Sequence, residues 1–154
     1  MKKSIKSPFK FMKRLGIAGY DASQYELHLS QFGDNWPSEV ISYARFPGRL
    51  DPSATNAFHD SWLENFSVEI SSGKCSIVAS FLGPYHDKRF DFSYDYVDSL
   101  HLENAADRVD RDDIVIDEIL FSENIITHAV LCVSGYFHII RSRSFNWRIT
   151  DIVS

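Results

Sequence analysis

Polar and apolar positions alternate most strictly between Cys75 and Val97. Cys75, Ile77, Ala79 and Phe81 fall on one face of a first run. After Gly83-Pro84-Tyr85, the residues Phe90, Phe92, Tyr94 and Tyr96 share a face, with Arg89, Asp91, Ser93 and Asp95 opposite. A period of two is that of a half-buried strand, whose successive side chains point to opposite faces. The pattern predicts an antiparallel hairpin at the centre of a sheet. Its four aligned aromatics, Phe90, Phe92, Tyr94 and Tyr96, should point into one apolar layer.

Around that hairpin the periodicity changes. Tyr25, Leu29 and Phe32 recur at helical spacing over residues 21–32, with Gly33 as a stop. Pro37 suits the first turn of a second short helix, where its missing N–H costs nothing, and Val40, Ile41 and Ala44 give that helix its stripe. Residues 49–57 read as a loop. Strand patterns then run to the end: 66–70, the hairpin with 99–102 extending it or pairing beside it, 114–121, 126–133, 136–141 and 145–149. In 114–121 the apolar phase slips at Asp117-Glu118, which predicts a bulge there. The fold class expected is α+β: two short N-terminal helices followed by a largely antiparallel, meander-like sheet of about seven or eight strands. Parallel pairing needs crossover helices that the second half lacks.

Charge divides the chain. Lys2, Lys3, Lys6, Lys10, Lys13 and Arg14 are six of its 16 basic residues, with no acid among them; from Leu15 onward 10 basic side chains face 21 acidic ones, a formal charge of −11. We therefore read residues 1–16 as a flexible basic arm and 17–154 as a single domain. An acidic body disfavours nucleic acid and favours cationic partners. No run is long enough for a membrane span, the N-terminus lacks the apolar stretch of a signal peptide, and the two cysteines, Cys75 and Cys132, read as free thiols in strands. A cytoplasmic location is expected.

Two His-Asp pairs, His59-Asp60 and His86-Asp87, carry residue types that ligate metals, so a metal-dependent hydrolase is one reading. Adjacent His-Asp also marks helical phosphohydrolases, but here the pairs lie among strands, and Asp60 and Asp87 are expected instead to accept hydrogen bonds where the chain turns. Neither cysteine has an electropositive setting, and no nucleophile elbow, phosphate-cradling loop or Cys-x-x-Cys is present. No catalytic residue, metal ligand or cofactor is assigned. The strongest remaining signal is the acidic run from Glu103 to Glu118. Within it Asp107, Asp110, Asp112, Asp113, Asp117 and Glu118 are the candidate partner-binding residues, a docking surface for a basic protein.

The motifs His59-Asp60-Ser61-Trp62-Leu63-Glu64 and Gly83-Pro84-Tyr85-His86-Asp87-Lys88-Arg89-Phe90 resemble those of a group of small uncharacterised bacterial proteins, similar in size and acidity to immunity proteins of toxin–immunity pairs. The resemblance implies a small α+β domain that binds and neutralises a cognate toxin, in particular a basic nuclease, by blocking its active site. A non-catalytic structural or regulatory subunit is the third reading. The resemblance brings no catalytic residues.

Overall fold

The computed structural model of the chain describes residues 7–153. Its main feature is a six-stranded antiparallel sheet built from β3 (Trp62–Ser71), β4 (Lys74–Leu82), β5 (Lys88–Glu103), β6 (Ile114–Ser122), β7 (Ile125–Cys132) and β8 (Phe137–Asp151). The helices α1 (Ser23–Phe32) and α2 (Ser38–Ala44) precede it, and a short hairpin, β1 (Lys13–Leu15) with β2 (Gly19–Asp21), precedes them. The fold is α+β. The sheet has six strands rather than seven or eight, because residues 99–102 continue β5, and the runs expected at 136–141 and 145–149 merge, from Phe137 on, into the single long strand β8.

The aromatic row lies where its alternation places it. Register sets Phe81 opposite Phe90, Ala79 opposite Phe92 and Ile77 opposite Tyr94; on the other side of β5, Phe90, Phe92 and Tyr94 face Ile149, Trp147 and Phe145. Phe90, Phe92 and Tyr94 are fully buried. Each such side chain contributes about 1.5–3 kcal/mol of burial free energy. Phe58, from the loop before β3, sets its ring 5.0–5.3 Å from those of Phe81, Phe90 and Phe92, while Tyr43 of α2 packs edge-on at 5.1 Å from Phe92. Tyr96 departs from the row. Its φ of +51° breaks the pleat just before the register shift between Val97 and Ser99, and its side chain turns out to half exposure.

The strand order is β3-β4-β5-β8-β7-β6, so the sheet is not a meander. β5 does not pair with β6, and the last strand inserts between β5 and β7. The sheet curls until its ends meet: the N–H of Asp60 donates to the Ile114 carbonyl at 2.9 Å and that of Ile114 to the Ser61 carbonyl at 3.1 Å. The irregularity in β6 sits between Ile114 and Ile116, not at Asp117-Glu118. Those two acids stay in regular strand because both faces of β6 are covered and each carboxylate has its own donors.

Tyr25 and Leu29 bury the inner face of α1, whereas Phe32, one turn on, is half exposed. Val40, Tyr43 and Ala44 do the same for α2, entered through Pro37. Gly33 lies where the helices approach: a Cβ there would meet Ile41 Cδ1 at 2.6 Å and Arg45 Nη2 at 2.9 Å. Of the expected basic arm, residues 1–6 fall outside the described residues. Residues 7–16 include β1 and the buried Met12. They run against β6, where Glu118 Oε1 accepts the N–H of Lys10 (2.8 Å) and Oε2 those of Phe11 (2.8 Å) and Met12 (2.7 Å). A carboxylate answers three backbone donors of the segment that leads into β1.

Candidate functional site

Beneath the helices lies a buried polar cluster centred on Asp117. Its Oδ1 accepts from Arg49 Nη1 at 2.5 Å, and its Oδ2 accepts from the Tyr43 hydroxyl at 2.7 Å and from His128 Nε2 at 2.8 Å. Behind His128, the Tyr94 hydroxyl donates to Nδ1 at 2.6 Å. Burial alone would raise the Asp117 carboxyl, but the Arg49 guanidinium, aided by His128 and Tyr43, holds it below the ordinary carboxylate range. Burial pushes the phenols of Tyr43 and Tyr94 well up, so both stay protonated donors. The guanidinium carbon of Arg49 sits 5.0 Å from the ring of Tyr43 and 5.5 Å from that of Tyr25, whose hydroxyl donates to the Ile119 carbonyl at 2.8 Å. Arg49 is 1% exposed, and its Nε and Nη2 have no hydrogen-bond partner among the described residues.

Above this cluster a cleft of about 750 Å³ opens between α1, α2 and the loop 48–51, with Tyr20, Glu26, Ser30, Arg49 and Asp51 among its polar lining. Burial pushes the Tyr20 phenol up, Arg49 opposes that, and Asp51 and Glu26 add to it. Arg45 at the rim is engaged with Asp34 at 2.7 Å and the Leu29 carbonyl at 2.8 Å. Glu26 and Asp51 take part in no ion pair among the described residues.

The six candidate acids do not form one surface. Asp107 and Asp110 are exposed, and Asp113 is half buried. Asp113 accepts from Trp62 Nε1. Asp112, Asp117 and Glu118 are each 2% exposed. Asp112 fastens the β7–β8 turn, accepting the Ser134 N–H at 3.0 Å and hydroxyl at 2.5 Å; the other two are held as described above. Of the six acids expected to form a docking surface, these three are internal acceptors.

The two His-Asp motifs are not built as turn caps. Asp60, at φ +65°, uses its backbone N–H to reach Ile114, and its carboxylate lies 2.8 Å from His59 Nδ1 without hydrogen-bonding geometry. The Asp87 carboxylate has Lys88 Nζ at 3.9 Å, and it is the Asp87 carbonyl that accepts, from the N–H of Ile152 at 2.8 Å. The His86 ring lies against Trp62 at a tilt of 55°, with centroids 4.5 Å apart, and the Arg111 guanidinium lies over the Trp62 ring, 5.2 Å from its centroid. The HDxxLE motif, the GPYHD turn and the acidic loop thus converge on one rim, at Trp62. Tyr85, the residue before His86 in the turn, is 54% exposed. Among the described residues no three His, Cys, Asp or Glu side chains group to hold a metal ion.

Sequence reasoning missed Arg49, Tyr43 and Tyr20 altogether. The legible signs of the buried cluster were Asp117, which breaks the apolar phase of 114–121, and His128, which with Thr127 interrupts the apolar run 126–133. His138, also buried, was equally available as a sign; burial pushes its imidazole down to about 3, so it is neutral, and its Nδ1 lies 3.2 Å from the Tyr136 hydroxyl. Among the described residues no helix is long and apolar enough to cross a membrane. In comparisons with known proteins, the chain matches no family model, no curated protein and no solved structure.

Proposed function

We propose that this is a binding protein of the immunity type, a cytoplasmic protein that neutralises a basic bacterial toxin by covering it, and that it docks through the Trp62 rim. One observation carries the reading: both sequence motifs and the acidic loop, far apart along the chain, meet at Trp62, and the turn that brings His86 there carries the exposed Tyr85. Aromatic anchors ringed by charge are the composition of protein-recognition surfaces. Asp107 and Asp110 supply the negative charge, and neither is engaged in an ion pair among the described residues. Asp112, Asp117 and Glu118 support the fold beneath and do not touch the partner.

The test is co-expression with a toxin encoded beside this chain. Wild type should protect the host, Asp107→Lys/Asp110→Lys should slow association most at low salt, and Tyr85→Ala should weaken binding at any salt. Both variants should keep wild-type stability, since they alter exposed side chains. Full protection and unchanged association kinetics in all of them would remove the rim from the interface.

A further inference from the structure

The two edges of the sheet end differently. Along β6 the outward backbone groups are answered within the fold: Ile114 bonds Asp60 and Ser61, the Asp117 carbonyl accepts from Arg49 Nη1 at 3.3 Å, and the Tyr25 hydroxyl serves both the N–H and the carbonyl of Ile119. Along β3 they are not. The turn Ser72-Gly73, with φ of +51° and +73°, closes β3 onto β4 at the pair Ser71–Lys74. A two-residue turn of this kind ends on a hydrogen-bonded pair, and such pairs alternate along an antiparallel ladder. Ser67, Glu69 and Ser71 therefore bond β4. The N–H and C=O groups of Phe66, Val68 and Ile70 point outward, where none has a backbone partner among the described residues. Lys and Pro, the usual guards of an edge, do not occur in Trp62–Ser71, and its register shift lies between Leu63 and Asn65, ahead of the open stretch. The same three residues carry apolar side chains on one face, where Val68 is 50% and Ile70 76% exposed.

We infer that β3 is a dimer edge, pairing antiparallel with β3 of a second copy about a two-fold axis at Val68. In that register Val68 faces Val68 of the second copy and Phe66 faces Ile70, each facing pair exchanging both of its N–H···O bonds. The apolar side chains of the two strands then cover one another on one face. On the other, Glu69 faces Ser67 and Asn65 faces Ser71, so no carboxylate stands opposite another. Glu64, beyond them, is held by Arg89 of its own chain at 3.0 Å. A strand of a basic partner is a poorer match, because the open stretch offers it the carboxylate of Glu69 alone beside Phe66, Val68 and Ile70. Pairing stops at two copies, since the β6 edge is already answered. The contact is independent of the Trp62 rim. Trp62 lies about 20 Å from the axis at about 3.4 Å per residue, and the antiparallel arrangement sets the two rims at opposite ends of the joint sheet.

Analytical ultracentrifugation of the full chain over about a thousandfold range of concentration is the test. Wild type should pass from monomer to dimer and go no further. Val68→Lys sets two ammonium groups face to face at the axis, and Val68→Pro removes the central donor without touching a bond to β4. Each should raise the dimer dissociation constant at least about tenfold. Val78→Lys, at an exposed position on the opposite face of β4, should leave it within about twofold. Hydrogen exchange of the wild type locates the contact and needs no variant, so it decides the matter whether or not a substitution at Val68 disturbs the fold. The amides of Phe66, Val68 and Ile70 should gain at least about tenfold in protection from dilute to concentrated solution, while those of Ser67 and Glu69 are protected in both. A wild type that is monomeric throughout, a dimer indifferent to both Val68 variants, assembly beyond two copies, or free exchange at Phe66, Val68 and Ile70 in the concentrated protein would each overturn the inference.

Discussion

Removing the carboxylate of Asp117 tests the buried cluster most directly. In Asp117→Asn the volume is kept, but the guanidinium of Arg49, 1% exposed, loses the one carboxylate that pairs with it among the described residues, and Tyr43 and His128 lose the carboxylate that accepts from them. Breaking one side of a buried ion pair costs about 3–5 kcal/mol, chiefly because the other charge stays desolvated. With a urea dependence of about 2 kcal/mol per molar for a chain of this size, the midpoint should fall by roughly 1.5–2.5 M. Tryptophan fluorescence during urea titration is the assay, since Trp147 packs 5.3 Å from the ring of Tyr43. A second variant separates charge from packing. If the penalty is an orphaned charge, Arg49→Met/Asp117→Leu should be more stable than either single substitution by about 1 kcal/mol or more. The sign with pH follows from the lowered carboxyl. Its contribution is full above the unfolded value of about 3.9 and is lost as pH falls through the lower folded value. The gap between wild type and Asp117→Asn should therefore narrow below about pH 4. A single-variant cost under about 1 kcal/mol at pH 7, or a double variant that costs the sum of its parts, would refute the reasoning.

Glu118→Gln should cost about 1.5–3 kcal/mol, since a charged acceptor of three backbone N–H groups becomes a neutral one with a single good oxygen. Hydrogen exchange should show it as lost protection at Phe11 and Met12. Tyr94→Phe removes the hydroxyl that fixes His128 and should lower stability by about 1–2 kcal/mol, measured by the same urea titration. Burial pushes the Cys132 thiol up to about 12, whereas Cys75 is only half buried. Iodoacetamide at pH 8 should label Cys75 and spare Cys132 until the protein unfolds, as peptide mapping would reveal.

What the sequence made legible was local. Alternation assigned the faces of Phe90, Phe92 and Tyr94 correctly, because it reports which side of a strand is dry. It failed at Tyr96, where a left-handed backbone turns the side chain out without altering the pattern of residue types. It also could not say which strands are neighbours. A run such as 145–149 has the same alternation beside β5 as at an edge, so the insertion of β8 was invisible. The acidic run was misread for a related reason. Asp112, Asp117 and Glu118 become internal acceptors only through partners 22, 68 and 108 residues away, Ser134, Arg49 and Lys10. Nothing beside them in the chain distinguishes them from Asp107 and Asp110, which do face solvent. The convergence of the two motifs at Trp62 was likewise a property of the closed sheet and not of either motif.

The central place of β8 has a consequence for how the protein is made. Before Phe137 is made, the β3-β4-β5 sheet and the β6-β7 hairpin meet backbone to backbone only where Asp60 and Ser61 bond Ile114, since among the described residues β5 and β7 are joined through β8. While the chain is being synthesised, each piece carries one long strand with its outer N–H and C=O groups unanswered. Such edges recruit other strands, so nascent or truncated chains are at risk of pairing with one another. Folding to the native sheet is therefore all or nothing with respect to residues 137–151. A cut before that strand should yield aggregate where a cut elsewhere in an exposed loop yields a nicked but intact fold, and proteolysis during translation should find the chain vulnerable until β8 has slotted in.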